Sequence, residues 1–201
     1  MNDNKYVFLF GHRQQHGKNT AVALLERHLA GSGKWFISTY FAKKLKKMCA
    51  EKYRLDFSKM EDNDYKSSSP PHLAPRSIRQ VLIDEGCSSR NIWVHTWAHL
   101  AYSELYNNGE MPTVGIVSDF RYPNEYDYGM KFIEDNKISN VKIVKVLVHR
   151  PDGIMKSDGA DNLLPDDDKK YWDHVIINNS TPTWKEEMYT NIVNIMRTYG
   201  L

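Results

Sequence analysis

At 201 residues the chain is long enough for one α/β domain with a well-buried core, and its 41% hydrophobic and 26% charged content fits a globular protein, not a disordered one. A formal net charge of +2 gives no electrostatic basis for nucleic-acid binding, and no run approaches the ~20 apolar residues of a membrane span. The two cysteines, Cys49 and Cys87, lack zinc-ligand spacing, and the short apolar start runs straight into a polar loop without a leader pattern, so the expected compartment is a reducing cytoplasm.

The first predicted element is a strand over 6–10, Tyr6-Val7-Phe8-Leu9-Phe10. The loop Gly11-His12-Arg13-Gln14-Gln15-His16-Gly17-Lys18-Asn19-Thr20 follows, and an amphipathic helix is predicted over 18–30. Strand, glycine-bounded loop with lysine, then helix is the context of a phosphate-binding loop, in which backbone N–H groups and the helix N-terminus face phosphate oxygens. Gly11, His16, Gly17, Lys18, Asn19 and Thr20 are the candidate ATP contacts. The spacing is irregular: five residues separate Gly11 from Gly17, His12 stands where a glycine is expected, and the hydroxyl comes at Thr20 after Asn19. The plainer alternative is a strand-to-helix turn carrying a surface lysine.

Further strands are predicted over 35–39, 113–118, 142–148 and 174–177, with helices over 42–52, 77–84, 92–106, 124–136 and 183–199. Strand–helix alternation predicts a parallel sheet with right-handed crossovers and a ligand crevice at the carboxyl ends of the strands. Lys43, Lys44, Lys46 and Lys47 read as a solvated helix face or a phosphate-facing one. Thr183 with Glu186 forms a capping-box pattern, and Trp184, Met188, Ile192, Ile195 and Tyr199 mark a buried stripe. Two polar stretches, 58–75 and 151–170, read as mobile insertions between core elements, the second as a lid closing over substrates.

After the run Thr113-Val114-Gly115-Ile116-Val117 comes Ser118-Asp119-Phe120-Arg121-Tyr122-Pro123-Asn124-Glu125. A carboxylate at a strand end can hold Mg²⁺ or accept a proton, and an arginine there can grip a phosphate with both arms. The competing reading is an Asp–Arg turn that caps the next helix.

Together these motifs resemble the phage-type deoxynucleoside monophosphate kinases. The resemblance rests on the strand and Gly-Lys-x-Thr loop, on Arg79, Gln80, Val81, Leu82 and Gly86 followed by Arg90 and Trp93, on Asp119 to Glu125, and on His149-Arg150-Pro151. It runs from Phe8 to about Asn178. It implies a P-loop NTPase three-layer α/β fold of the nucleoside-monophosphate-kinase type, a five-stranded parallel sheet with flanking helices in a single domain. The segment at about 42–100 would then carry the acceptor-binding insertion, and 151–170 the lid. The implied reaction is transfer of the γ-phosphoryl of ATP to a deoxynucleoside 5′-monophosphate, with Mg²⁺. Carried over, Lys18, Arg121 and Asp119 are catalytic, and Arg150 joins the ATP contacts. Arg79, Arg90, Arg121 and Trp93 hold the acceptor, and Thr20 and Asp119 lie at the metal. The implied partners are small nucleotides, neither nucleic acid nor membrane, in the cytoplasm (a host's, were the chain phage-encoded), with a homodimer left open. The lid lacks arginine, so its charge would come from Lys156, Lys169, Lys170 or the flanking Arg150. Two rivals remain: a same-fold kinase of another phosphorylated metabolite, phosphomevalonate- or dephospho-coenzyme-A-kinase-like, and a nucleotide-binding module without turnover.

Overall fold

The computed structural model describes residues 4–11, 13, 15–153, 164 and 171–201. The strands are β1 (Lys5–Gly11), β2 (Phe36–Thr39), β3 (Val114–Phe120), β4 (Val141–His149) and β5 (His174–Ile177). They pair in parallel as one five-stranded sheet in the order β2-β3-β1-β4-β5. The helices are α1 (Lys18–Gly31), α2 (Lys43–Lys52), α3 (Asn63–Ser67), α4 (Ile78–Ile92), α5 (Thr96–Leu105), α6 (Pro123–Asp135) and α7 (Trp184–Thr198).

The uninterrupted apolar run of β1 makes sense in the centre of this sheet, where both faces are covered. Val7 and Leu9 point to one core with Trp97, Tyr102 and Leu105 of α5 and Phe132 of α6. Tyr6, Phe8 and Phe10 point to the other with Leu25 and Leu29 of α1 and Met188 and Ile192 of α7. Helices on both faces of a parallel sheet, with a glycine-bounded loop leading from central β1 into α1, constitute the P-loop α/β fold.

Several elements differ from the sequence expectation. Helix α4 continues past Asp84 to Ile92. Gly86 does not end it, because the missing side chain lets α2 approach: a Cβ there would lie 3.1 Å from Leu45 Cδ2. Trp93, Val94 and His95 form the joint to α5, which starts at Thr96 instead of 92. Strand β3 extends to Phe120, so Asp119 and Phe120 belong to the strand rather than to the turn after it. The stretch 58–75 is not a bare loop. It contains α3, capped by Asp62 accepting the Tyr65 N–H at 2.7 Å, and it buries Met60 and Leu73 against Ile78 and Val81.

At α7 the Thr183 side chain makes no cap hydrogen bond. The Thr181 and Thr183 hydroxyls instead donate to Glu187 Oε1 at 2.9 and 2.8 Å. Glu187, four residues after Thr183, thus takes the threonine hydroxyls in place of the Glu186 of the capping-box pattern. The stripe of α7 is as expected, with Met188, Ile192 and Ile195 buried and Trp184 and Tyr199 packed at its ends, and Met196 joins it.

Candidate functional site

Parallel register sets the site. Gly11, the last residue of β1, lies opposite Phe120, the last of β3, so the Gly11–Thr20 loop and the Asp119–Arg121 segment leave the sheet side by side at its carboxyl edge. Gly11 must be glycine because the Trp172 ring lies on it: a Cβ would sit 2.3 Å from Trp172 Cη2. Gly17 caps α1 with φ 101°, a left-handed backbone that an L side chain adopts only with strain.

Within the loop, Lys18 is only 8% exposed, and its Nζ donates to the Arg13 carbonyl at 2.6 Å. The ammonium therefore arches back over its own loop. Asn178, beyond β5, donates through Nδ2 to the His16 carbonyl at 3.1 Å. The Arg150 N–H, at the end of β4, donates to His16 Nδ1 at 3.1 Å, which assigns that nitrogen as an unprotonated acceptor. The loop is thus braced by the ends of two neighbouring strands. Arg150 turns its guanidinium to Asp152, 3.1 Å from Nε to Oδ1, and holds that carboxyl below the usual carboxylate range together with the Ser180 hydroxyl. Asn19 is exposed and Thr20 half-buried at the start of α1. His12 and Gln14 lie outside the described residues, as does almost all of the expected lid, including Lys156, Lys169 and Lys170.

On the β3 side Asp119 is tied into the scaffold. Its Oδ1 accepts the Phe41 N–H at 2.6 Å and its Oδ2 the Ala42 N–H at 3.1 Å, clamping the end of β3 to the turn between β2 and α2. Lys43 pairs with Glu104, and Lys46 with Glu61 at 2.6 Å. Of the lysine cluster only Lys44 and Lys47 form a solvated face. Burial, then Glu61, then Asp119 and Glu104 push the Tyr40 phenol up.

Glu125 is the buried carboxyl of the site, 4% exposed. Its Oε2 accepts the N–H groups of Arg121 and Tyr122 at 2.8 and 3.0 Å, with Pro123 opening α6. Burial, then the Asp119 charge, push its pKa up to about 8 against the pull of those two N–H groups and of Arg90. The Asp119–Glu125 segment therefore does the capping job weighed from the sequence: its carboxylates tie the end of β3 and the first turn of α6.

One arginine packs on this turn and another reaches α3. Arg90 lies over the Tyr122 ring, 4.4 Å from its centroid. Arg79 Nη2 donates to Asn63 Oδ1 of α3 at 3.3 Å. Arg79 and Arg121 both lower the pKa of Lys66 on α3, after burial and Lys46. Trp93 is not drawn into this group by its contacts: its ring, 43% exposed, packs against His99 and Tyr128 at 5.2 and 5.8 Å between centroids.

Among the described residues no cluster of three or more His, Cys, Asp or Glu is arranged to hold a metal ion. Mg²⁺ in phosphate-transfer sites takes most of its ligands from phosphates and water, so one hydroxyl and one carboxylate suffice. The Thr20 hydroxyl and the Asp119 oxygens are hard donors of that kind, although both Asp119 oxygens already accept backbone N–H groups.

No family model and no curated protein matches the chain in sequence. Among solved structures it is similar to the APS kinase CysC of Mycobacterium tuberculosis in complex with AMPPNP and APS, at TM-score 0.47 and 12% identity over 96% of this chain and 98% of that one. It is also similar to a gluconokinase from Sinorhizobium meliloti 1021, at TM-score 0.41 and 11% identity over 98% of this chain and 96% of that one.

Proposed function

We propose that the chain is an ATP-dependent kinase that passes the γ-phosphoryl of ATP to the phosphate of a deoxynucleoside 5′-monophosphate. One juxtaposition carries the reading: a phosphate-binding loop with its lysine and an arginine-bearing turn leave adjacent strands at the same sheet edge, Gly11 beside Phe120. Phosphoryl transfer needs two anionic substrates in line with cations around the moving group, and little covalent help.

In this reading the N–H groups of the loop and Lys18 hold the ATP phosphates, with Arg150 at the flank. Arg79 and Arg121 hold the acceptor phosphate, Arg90 orients the turn through Tyr122, and Trp93 lines the acceptor side. An acceptor phosphate oxygen forms the new bond to the γ-phosphorus as its bond to the ADP oxygen breaks. Asp119 keeps the geometry of the acceptor turn. Thr20 and Asp119 would hold Mg²⁺, which when bound neutralises charge on the phosphates. The partners are small nucleotides.

Coupled measurement of ADP release over the four deoxynucleoside monophosphates tests the proposal. The expected result is acceptor-dependent release that Lys18→Ala lowers by roughly 100-fold or more, as loss of a transition-state charge stabiliser does. ADP release equal in the variant and the wild type would remove the loop from the reaction. Release with other phosphorylated metabolites only would point to the same-fold rival, and nucleotide binding without release to the binding module.

A further inference from the structure

Asn178 follows β5 directly and is a buried polar residue, 5% exposed. Its N–H donates to the His149 carbonyl at 2.7 Å, which carries the β4–β5 pairing one residue past the strand. Its side-chain amide is held at both ends. Nδ2 donates to the His16 carbonyl, 162 positions away along the chain, at 3.1 Å. Oδ1 accepts the Ser180 N–H at 3.2 Å, and Ser180 is left-handed at φ 56°. Packing alone would favour an apolar side chain here, since Ile176 and Met188 nearby are fully buried, and an amide in such a place costs free energy unless its polar atoms are bonded.

These bonds orient one peptide of the glycine-bounded loop. In a trans peptide the C=O and N–H point in opposite directions. With the His16 C=O turned to Asn178, the Gly17 N–H faces away from Asn178. Gly17 is left-handed at φ 101° and Lys18 begins right-handed α1, a pairing that turns successive N–H groups to one side, as in anion-binding nests. Gly17 also makes room for the amide, because a Cβ there would lie 3.0 Å from Asn178 Nδ2. We propose that Asn178 is a positioning residue for phosphate binding: its amide holds the His16 carbonyl outward and so keeps the Gly17 and Lys18 N–H groups aimed at the phosphates of a nucleoside triphosphate. This rests on the phosphate-loop half of the kinase reading and not on the identity of the acceptor.

The test titrates ATP and inorganic tripolyphosphate calorimetrically into the full chain as wild type, Asn178→Ala and Asn178→Asp, each below its melting point. Asn178→Ala should bind both probes about 10-fold more weakly, the scale of one lost hydrogen bond, and raise the KM for ATP with the acceptor KM kept. Asn178→Asp keeps the volume and an acceptor for the Ser180 N–H, but its ionised carboxylate has no proton for the His16 carbonyl. It should bind weakly at neutral pH and recover, relative to wild type, as acidification protonates the new carboxyl. In ¹⁵N-labelled wild type the Asn178 side-chain amide resonance should shift on adding tripolyphosphate, a readout that stands even where a variant fails to fold.

Wild-type affinity for tripolyphosphate in folded Asn178→Ala overturns the proposal and leaves the kinase reading standing. A loss confined to ATP does the same, because it would make Asn178 a contact of the nucleoside. An Asn178 resonance unmoved by saturating tripolyphosphate also overturns it. Conversely, matched losses for the two probes, in a chain that phosphorylates no monophosphate, support the positioning role and sink the kinase reading. A wild type that binds neither probe overturns both.

Discussion

Individual side chains at the carboxyl edge serve the scaffold and the proposed chemistry at once. Arg121 follows a strand clamped by Asp119 and stands just before a helix whose first turn is tied by Glu125. Its main chain is therefore fixed before any ligand binds, and a lysine there would keep the charge but not the planar fork. Arg121→Ala and Arg79→Ala should each raise monophosphate KM by roughly 10-fold or more with ATP affinity nearly kept, and Arg121→Lys should rescue only in part. Equilibrium titrations of ATP and monophosphate against each variant check this, and loss of ATP affinity with intact monophosphate affinity would reverse the two halves of the site.

Glu125 carries a pH signature. Its folded pKa of about 8 stands above the unfolded carboxylate value, so between about pH 4.5 and 8 the folded state holds more protons than the unfolded one. The Glu125 contribution to stability is fully present below that window and is lost as pH rises through it. Glu125→Gln keeps an oxygen for the Arg121 and Tyr122 N–H groups and removes the ionisation, so it should flatten the slope. Urea unfolding from about pH 5 to 8.5 measures both proteins, with a difference of the order of a few kcal/mol across the window. Parallel slopes for the two would show that Glu125 does not titrate there.

Elements are fitted to each other through contacts that only a missing side chain allows. Gly129 on α6 lies under the fully buried Tyr102 of α5, where a Cβ would sit 2.2 Å from the hydroxyl oxygen and 2.7 Å from Ile143 Cδ1. Alanine favours helix over glycine by ~1 kcal/mol. Gly129→Ala should nevertheless destabilise by about 1–3 kcal/mol, since overpacking a close contact outweighs propensity. Thermal or urea unfolding checks the sign, and a stabilised variant would mean that α5 and α6 separate at little cost.

At the scale of the whole molecule, no helix among the described residues is long and apolar enough to cross a membrane. Much of the architecture was legible in the sequence because the physics is local. β-branched runs such as 142–148 suit strands buried on one or both faces, and the stripe of α7 repeats at helical spacing. The loop from Gly11 to Thr20 was legible as a turn onto a helix because Gly17 and Lys18 sit at its end. Boundaries set by packing were not: α4 runs through Gly86 because Leu45 needs the space, and β3 runs to Phe120 because β1 and the turn after β2 hold it. The sequence by itself thus determined the five strands, their alternation with helices and the place of Lys18 at the start of α1, all encoded in spacing along the chain. Only the tertiary structure decided that Gly11 lies beside Phe120, and that Asp119 clamps a distant turn. Those relations arise from residues up to 109 positions apart along the chain meeting at one sheet edge, a closeness that no local pattern specifies.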